Sequence, residues 1–236
     1  MNGLVVKICG IRSLDAALAA ADAGADLVGF VFAPSRRRVT VDEAAVIVDS
    51  LRRARAAPPG CVGVFVNEEP DAVMGVAEAV GLDAVQLSGD EPPEVVAALR
   101  RPVIKALRLP IGTEPDTARQ LADAYLALPA VRALLVEGHQ PGTFGGTGTA
   151  ADWTLAAALA GEYPVLLAGG LTPTNVERAV RAVRPLGVDV SSGVERDGVK
   201  DPAAIAAFVH AARHALGQDV TGTAPLVAGE PAKEQE

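Results

Sequence analysis

Eight short apolar runs punctuate this sequence, and each is followed by a stretch with helix signals. The first is Val5-Val6-Lys7-Ile8-Cys9, and the others fall at 26–32, 61–66, 84–88, 103–107, 133–137, 164–168 and 188–191. A short apolar run closed by a turn signal reads as a buried strand. Between them the sequence predicts helices over 14–23, 41–55, 70–80, 93–99, 115–128, 153–160, 173–183 and 202–216. Ser13 and Thr40 are placed as N-caps, and Gly24 as a helix stop. Strands that alternate with helices make βαβ units and a parallel sheet. Eight units in 236 residues fit a closed (β/α)8 barrel, the TIM barrel, an α/β fold of about 250 residues. An open doubly wound sheet is the competing architecture. The count of eight argues against it, as does the lack of a Gly-x-Gly-x-x-Gly after any strand. One domain is expected over 1–216. Residues 217–236 are polar and aperiodic, and read as a disordered tail.

Composition narrows the functions. Half the residues are hydrophobic but only 3% are aromatic, so the core must be built from Ala, Val and Leu. A net charge of −8 leaves no basic face for nucleic acid. No run approaches the ~18 apolar residues of a membrane span. Lys7, Arg12 and Asp15 interrupt any signal-peptide core. Cys9 and Cys61 make no disulfide framework and fit a reduced, cytoplasmic setting. His139, His210 and His214 share no ligand spacing with cysteines or acids, so no metal is expected.

Side chains alternate along a strand, so Lys7 shares a face with Cys9, Gln86 with Ser88, and Asp189 with Ser191. Strands one and eight are neighbours in a closed barrel, which pairs Lys7 with Asp189, either to pack the barrel floor or for catalysis. Chemistry in such barrels sits at the C-terminal ends of the strands. Cys9 ends strand one, as a reagent or as a small core residue. Cys61 lies at the opposite end of its strand and reads as core. Glu137 ends strand six, where an inward carboxyl suits an acid catalyst. Arg36-Arg37-Arg38 follows strand two, as a solvated loop or as a fork for carboxylate or phosphate. Glycine turns follow strands seven and eight at Gly169-Gly170 and Ser192-Gly193, where barrels commonly bind phosphate. The long glycine-rich loop at 139–149 has the character of a lid.

The chain resembles the phosphoribosylanthranilate isomerase family. The resemblance is carried by Lys7-Ile8-Cys9-Gly10, by Gly29-Phe30-Val31-Phe32 with the arginine loop, and by Gln86-Leu87-x-Gly89. It continues through Gly145-Gly146-Thr147-Gly148 with Trp153, Leu167-Ala168-Gly169-Gly170-Leu171, and Val188-Asp189-Val190-Ser191-Ser192-Gly193-Val194-Glu195. These motifs run in order from about residue 4 to 214. The resemblance implies an Amadori isomerisation of N-(5-phosphoribosyl)anthranilate in tryptophan biosynthesis, with a small phosphoribosyl molecule as partner and no cofactor. It implies Cys9 as general base and Glu137 as general acid. Arg37, or else Arg36, would hold the anthranilate carboxylate, and Gly169, Gly170, Ser192 and Gly193 the phosphate. Lys7, Gln86, Ser88 and Asp189 would complete the site. Two positions depart from the family pattern: Glu137 stands for an aspartate and Ser88 for a histidine. These departures keep one alternative open, an isomerase of a related phosphoribosyl amine. A non-catalytic barrel that binds a phosphorylated ligand is a second alternative, against which the retained Cys9 argues. The sequence leaves monomer and homodimer equally open.

Overall fold

A computed structural model describes residues 3–110, 112–137, 152–215 and 226 of the chain. Its centre is a closed parallel barrel of eight strands: β1 (Val5–Cys9), β2 (Leu27–Val31), β3 (Gly60–Phe65), β4 (Ala84–Leu87), β5 (Val103–Leu107), β6 (Val131–Val136), β7 (Val165–Leu167) and β8 (Gly187–Val190). Each strand pairs with its neighbour in sequence, and β8 closes on β1. The helices α1 (Leu14–Asp22), α2 (Val41–Ala54), α3 (Pro70–Val80), α4 (Pro93–Ala97), α5 (Pro115–Leu126), α6 (Trp153–Ala160), α7 (Val176–Val183) and α8 (Pro202–His214) follow the strands in turn. The closed strand order rules out the open sheet. Among the described residues no helix is long and apolar enough to cross a membrane.

The expected caps are in place. The Ser13 side chain accepts the Ala16 N–H. Thr40 and Glu43 form a reciprocal capping box at the start of α2. Helix α7 begins at Val176 rather than 173, because the Asn175 side chain holds the preceding residues in a turn. It accepts the Thr172 N–H at 2.8 Å and donates to the Gly170 carbonyl at 2.9 Å. A small antiparallel hairpin, β9 (Glu195–Arg196) and β10 (Val199–Lys200), lies between β8 and α8 and was not expected from the sequence.

Alternation sorts the barrel side chains onto two faces. Val6, Ile8, Val28, Phe30, Val188 and Val190 point outward into the main core beneath the helices. Val5, Leu27, Val62, Ala84, Ile104 and Leu166 fill the barrel interior. Leu226 joins this interior cluster and is 2% exposed. The rest of the predicted tail lies outside the described residues.

Lys105 is on the outer face, between Val103 and Leu107. It is buried against Glu91 at 2.9 Å and also donates to the carbonyls of Gly89 and Ala106. Glu91 in turn accepts the N–H groups of Asn67 and Gly89. One buried ion pair therefore ties the loops after β3 and β4 together, and Tyr125 donates from α5 to the Glu91 carbonyl.

Candidate active site

A cavity of about 470 Å³ opens at the C-terminal ends of the strands. Cys9, Gln86, Ser88, Glu137 and Asp189 all reach it, each from an inward-facing position at or just past a strand end. Arg37 enters from the loop after β2, and Gly169, Gly170, Ser192 and Gly193 close the side formed by β7 and β8.

Lys7 lies one inward position below Cys9 and is fully buried. Its ammonium donates to Asp189 Oδ1 at 2.8 Å. Gly29 on β2 makes room for this arrangement: a Cβ there would stand 3.0 Å from Cys9 Sγ and 3.2 Å from Lys7 Nζ. Burial pushes the Cys9 thiol up from its ordinary range; Lys7 opposes the rise, Asp189 adds to it, and Lys200 opposes it. Burial alone would lower the Lys7 pKa, but Asp189 and Cys9 outweigh it and the group is held above its ordinary value. Lys7 therefore stays an ammonium beside the thiol. Cys61 behaves as expected of a core residue: it is buried at the start of β3, and its thiol is pushed up to about 12 by burial.

The two candidate arginines diverge. Arg37 is buried and lines the cavity, whereas the Arg36 side chain is exposed and does not. Both pair with Glu195. Arg37 does so through two parallel bonds, Nε to Oε1 at 2.6 Å and Nη2 to Oε2 at 3.0 Å. Lys200 completes the cluster, 2.9 Å from Glu195 Oε1 and 2.8 Å from the Ser191 carbonyl. Ser191 Oγ donates back to the Cys9 carbonyl at 3.1 Å. Sequence reasoning assigned no role to Glu195 or Lys200. The motif containing Glu195 was visible, but the hairpin that brings Lys200 back to it was not.

The turns after β7 and β8 are shaped by glycine. Gly169 and Gly170 have φ of 85° and 65°, the left-handed region that side chains disfavour. At Gly193 a Cβ would lie 1.8 Å from the Leu171 carbonyl oxygen, so the two turns touch through backbone alone. Glycine turns of this kind ahead of a helix offer backbone N–H groups that suit an anion.

Gln86 Nε2 donates to Ser88 Oγ at 3.0 Å. The buried Gln86 Oε1 accepts no hydrogen bond among the described residues, which leaves an acceptor for a ligand donor. The predicted lid at 139–149 and His139 lie outside the described residues. Among the described residues, no three His, Cys, Asp or Glu side chains gather as a metal site.

Fold and site together define the class: a (β/α)8 barrel whose mouth carries a thiol, a carboxyl, an arginine and two glycine turns. The particular family follows from comparison. The family model for N-(5'phosphoribosyl)anthranilate (PRA) isomerase matches residues 6–211, and the chain belongs to that family. It is 52% identical over 214 residues to N-(5'-phosphoribosyl)anthranilate isomerase of Roseiflexus sp. (strain RS-1), covering 89% of this chain and 98% of that protein. The crystal structure of phosphoribosyl anthranilate isomerase from Thermotoga maritima is similar at a TM-score of 0.76 and 40% identity, covering 89% of this chain and 99% of that one. Another isomerase structure, at a TM-score of 0.74 and 38% identity with the same coverage, is a complex with reduced 1-(o-carboxyphenylamino)-1-deoxyribulose 5-phosphate.

Proposed function

We propose that this protein converts N-(5-phosphoribosyl)anthranilate to 1-(2-carboxyphenylamino)-1-deoxyribulose 5-phosphate, with Cys9 as general base and Glu137 as general acid. The isomerase activity, a step of tryptophan biosynthesis, follows from family membership. The residue roles rest on one observation: Cys9, Glu137, Arg37 and the two glycine turns all line a single cavity. That cavity offers one group for each part of the substrate, and the ligand in the related complex carries the same carboxylate and phosphate.

The chemistry runs as acid-assisted ring opening, removal of the C2 proton, and tautomerisation. Glu137 gives its proton to the furanose ring oxygen as the C1–O bond breaks, and the anilino nitrogen lone pair forms the iminium. The Cys9 thiolate takes the C2 proton, and the electrons of that bond neutralise the iminium to give an enolamine. The enolamine then takes a proton at C1 from solvent and releases its C2 hydroxyl proton to solvent, which leaves the ketone, and exchange with solvent returns Cys9 to the thiolate and Glu137 to the acid. Lys7 stabilises the thiolate from below. Arg37 holds the aromatic carboxylate, and Gly169, Gly170, Ser192 and Gly193 hold the phosphate. A cytoplasmic site suits a thiol base.

Separate Cys9→Ser and Glu137→Ala variants test the roles. Each should lose turnover by about a hundredfold or more, in line with the loss of a general acid or base. Wild-type turnover in either one removes that residue from the mechanism. Glu137→Asp should retain activity, because the two carboxyls have similar acidity.

A further inference from the structure

We propose that Glu195 is a positioning residue, which fixes the Arg37 guanidinium so that its outer edge receives the aromatic carboxylate of the substrate. The proposal rests on the assignment of Arg37 given under Proposed function.

The geometry is that of a fork held on one side. Glu195 takes the Nε and Nη2 donors of Arg37 through its two oxygens, at 2.6 and 3.0 Å. A guanidinium presents two such carboxylate-matching edges. The Nη1–Nη2 edge remains, and Nη1 makes no hydrogen bond among the described residues. Arg37 lines the cavity although its side chain is only 7% exposed. Its stem crosses Gly10, the residue after Cys9, where a Cβ would lie 2.6 Å from Arg37 Cδ. Gly10 thus sets the arginine directly over the end of β1.

Glu195 is itself held in place. Its side chain is 4% exposed, and Lys200 grips Oε1 at 2.9 Å while bonding the Ser191 carbonyl. Arg36 adds a third cation at 2.9 Å from Oε2. One carboxylate among three cations leaves the cluster positive. Arg37 can therefore be paired and still attract an anion. A long side chain ordered before binding loses less freedom when the ligand arrives, which is the physical benefit of such a clamp.

A purely structural pair, stapling the β9–β10 hairpin to the loop after β2, would affect all ligands alike. The test exploits that difference. Binding of reduced 1-(o-carboxyphenylamino)-1-deoxyribulose 5-phosphate is compared with binding of the same molecule lacking the carboxyl group, in the full chain. Glu195→Gln should reduce the preference for the carboxylated ligand by about tenfold or more, since misplacement by an ångström is costly. Affinity for the decarboxylated ligand should stay within about twofold, and KM for substrate should rise more than kcat falls. Glu195→Asp should recover part of the preference, and decides the matter should Glu195→Gln fail to fold. An unchanged preference, or an equal loss for both ligands, overturns the proposal. Arg37→Ala is the control. If it abolishes the preference while Glu195→Gln does not, only the positioning role falls. If it keeps the preference, the assignment of Arg37 falls as well.

Discussion

Lys7 Nζ sits 2.8 Å from Asp189 Oδ1, and the two residues are register partners across the seam where β8 closes on β1. The pair does more than close the barrel. Lys7 lies close enough to Cys9 to favour its thiolate, and Asp189 works against it. The alkylation rate of Cys9 by iodoacetamide should still be climbing at pH above 9.0, the ordinary value for the thiol, because burial raises it further. Asp189→Asn removes a negative charge, so the thiol should titrate lower and react faster at pH 8. Lys7→Met removes the opposing cation, so the thiol should titrate higher and react more slowly. Equal pH profiles in the wild type and both variants would show that the pair does not tune Cys9.

Gly193 is the position where two turns meet without side chains. Gly193→Ala puts a Cβ 1.8 Å from the Leu171 carbonyl oxygen, and backbone must move to relieve it. The expected result is loss of phosphate recognition by about tenfold to a hundredfold, read as a rise in KM and as weaker competitive inhibition by inorganic phosphate. Wild-type inhibition by phosphate would place the anion elsewhere.

Lys105 and Glu91 form a buried pair that ties two active-site loops together. Lys105→Met leaves a buried carboxylate without its cation, which costs about 3–5 kcal/mol in comparable cases. Urea unfolding measures it. The double variant Lys105→Met, Glu91→Gln should recover part of the loss, since the stranded charge is gone. If the double variant is no more stable than the single one, the cost lies in packing and not in charge.

Leu226 is buried among Val5, Leu27, Ile104 and other interior residues of the barrel. Leu226→Ala should lower stability by about 2–3 kcal/mol, the lower part of the range for core leucines. kcat and KM at moderate temperature should not change, because Leu226 does not line the active-site cavity. A variant with unchanged thermal midpoint would mean that the leucine adds nothing to the interior.

Much of this architecture was legible in the residues. Eight apolar runs became eight strands, alternation placed Gln86 and Ser88 on one face, and the adjacency of strands one and eight paired Lys7 with Asp189. Three features were not legible, for physical reasons. Strands of a parallel barrel are apolar on both faces, so the pattern around Lys105 does not say which way it points. The clamp on Arg37 depends on a two-residue strand at Val199–Lys200, too short to leave a periodic signal. Leu226 is a lone apolar residue in a polar stretch, and periodicity has no purchase on a single position. Between Arg36 and Arg37, adjacent in sequence and identical in chemistry, only the fold of the loop separates an exposed side chain from one that reaches the cavity.

The family model ends at residue 211, and Leu226 lies beyond it. The chain thus fills its barrel interior partly with a residue from outside the shared family core. A residue so placed lies apart from the thiol, the carboxyl and the arginine that line the cavity at the mouth. Leu226 thus offers a position outside the cavity lining at which the stability of the barrel can be changed.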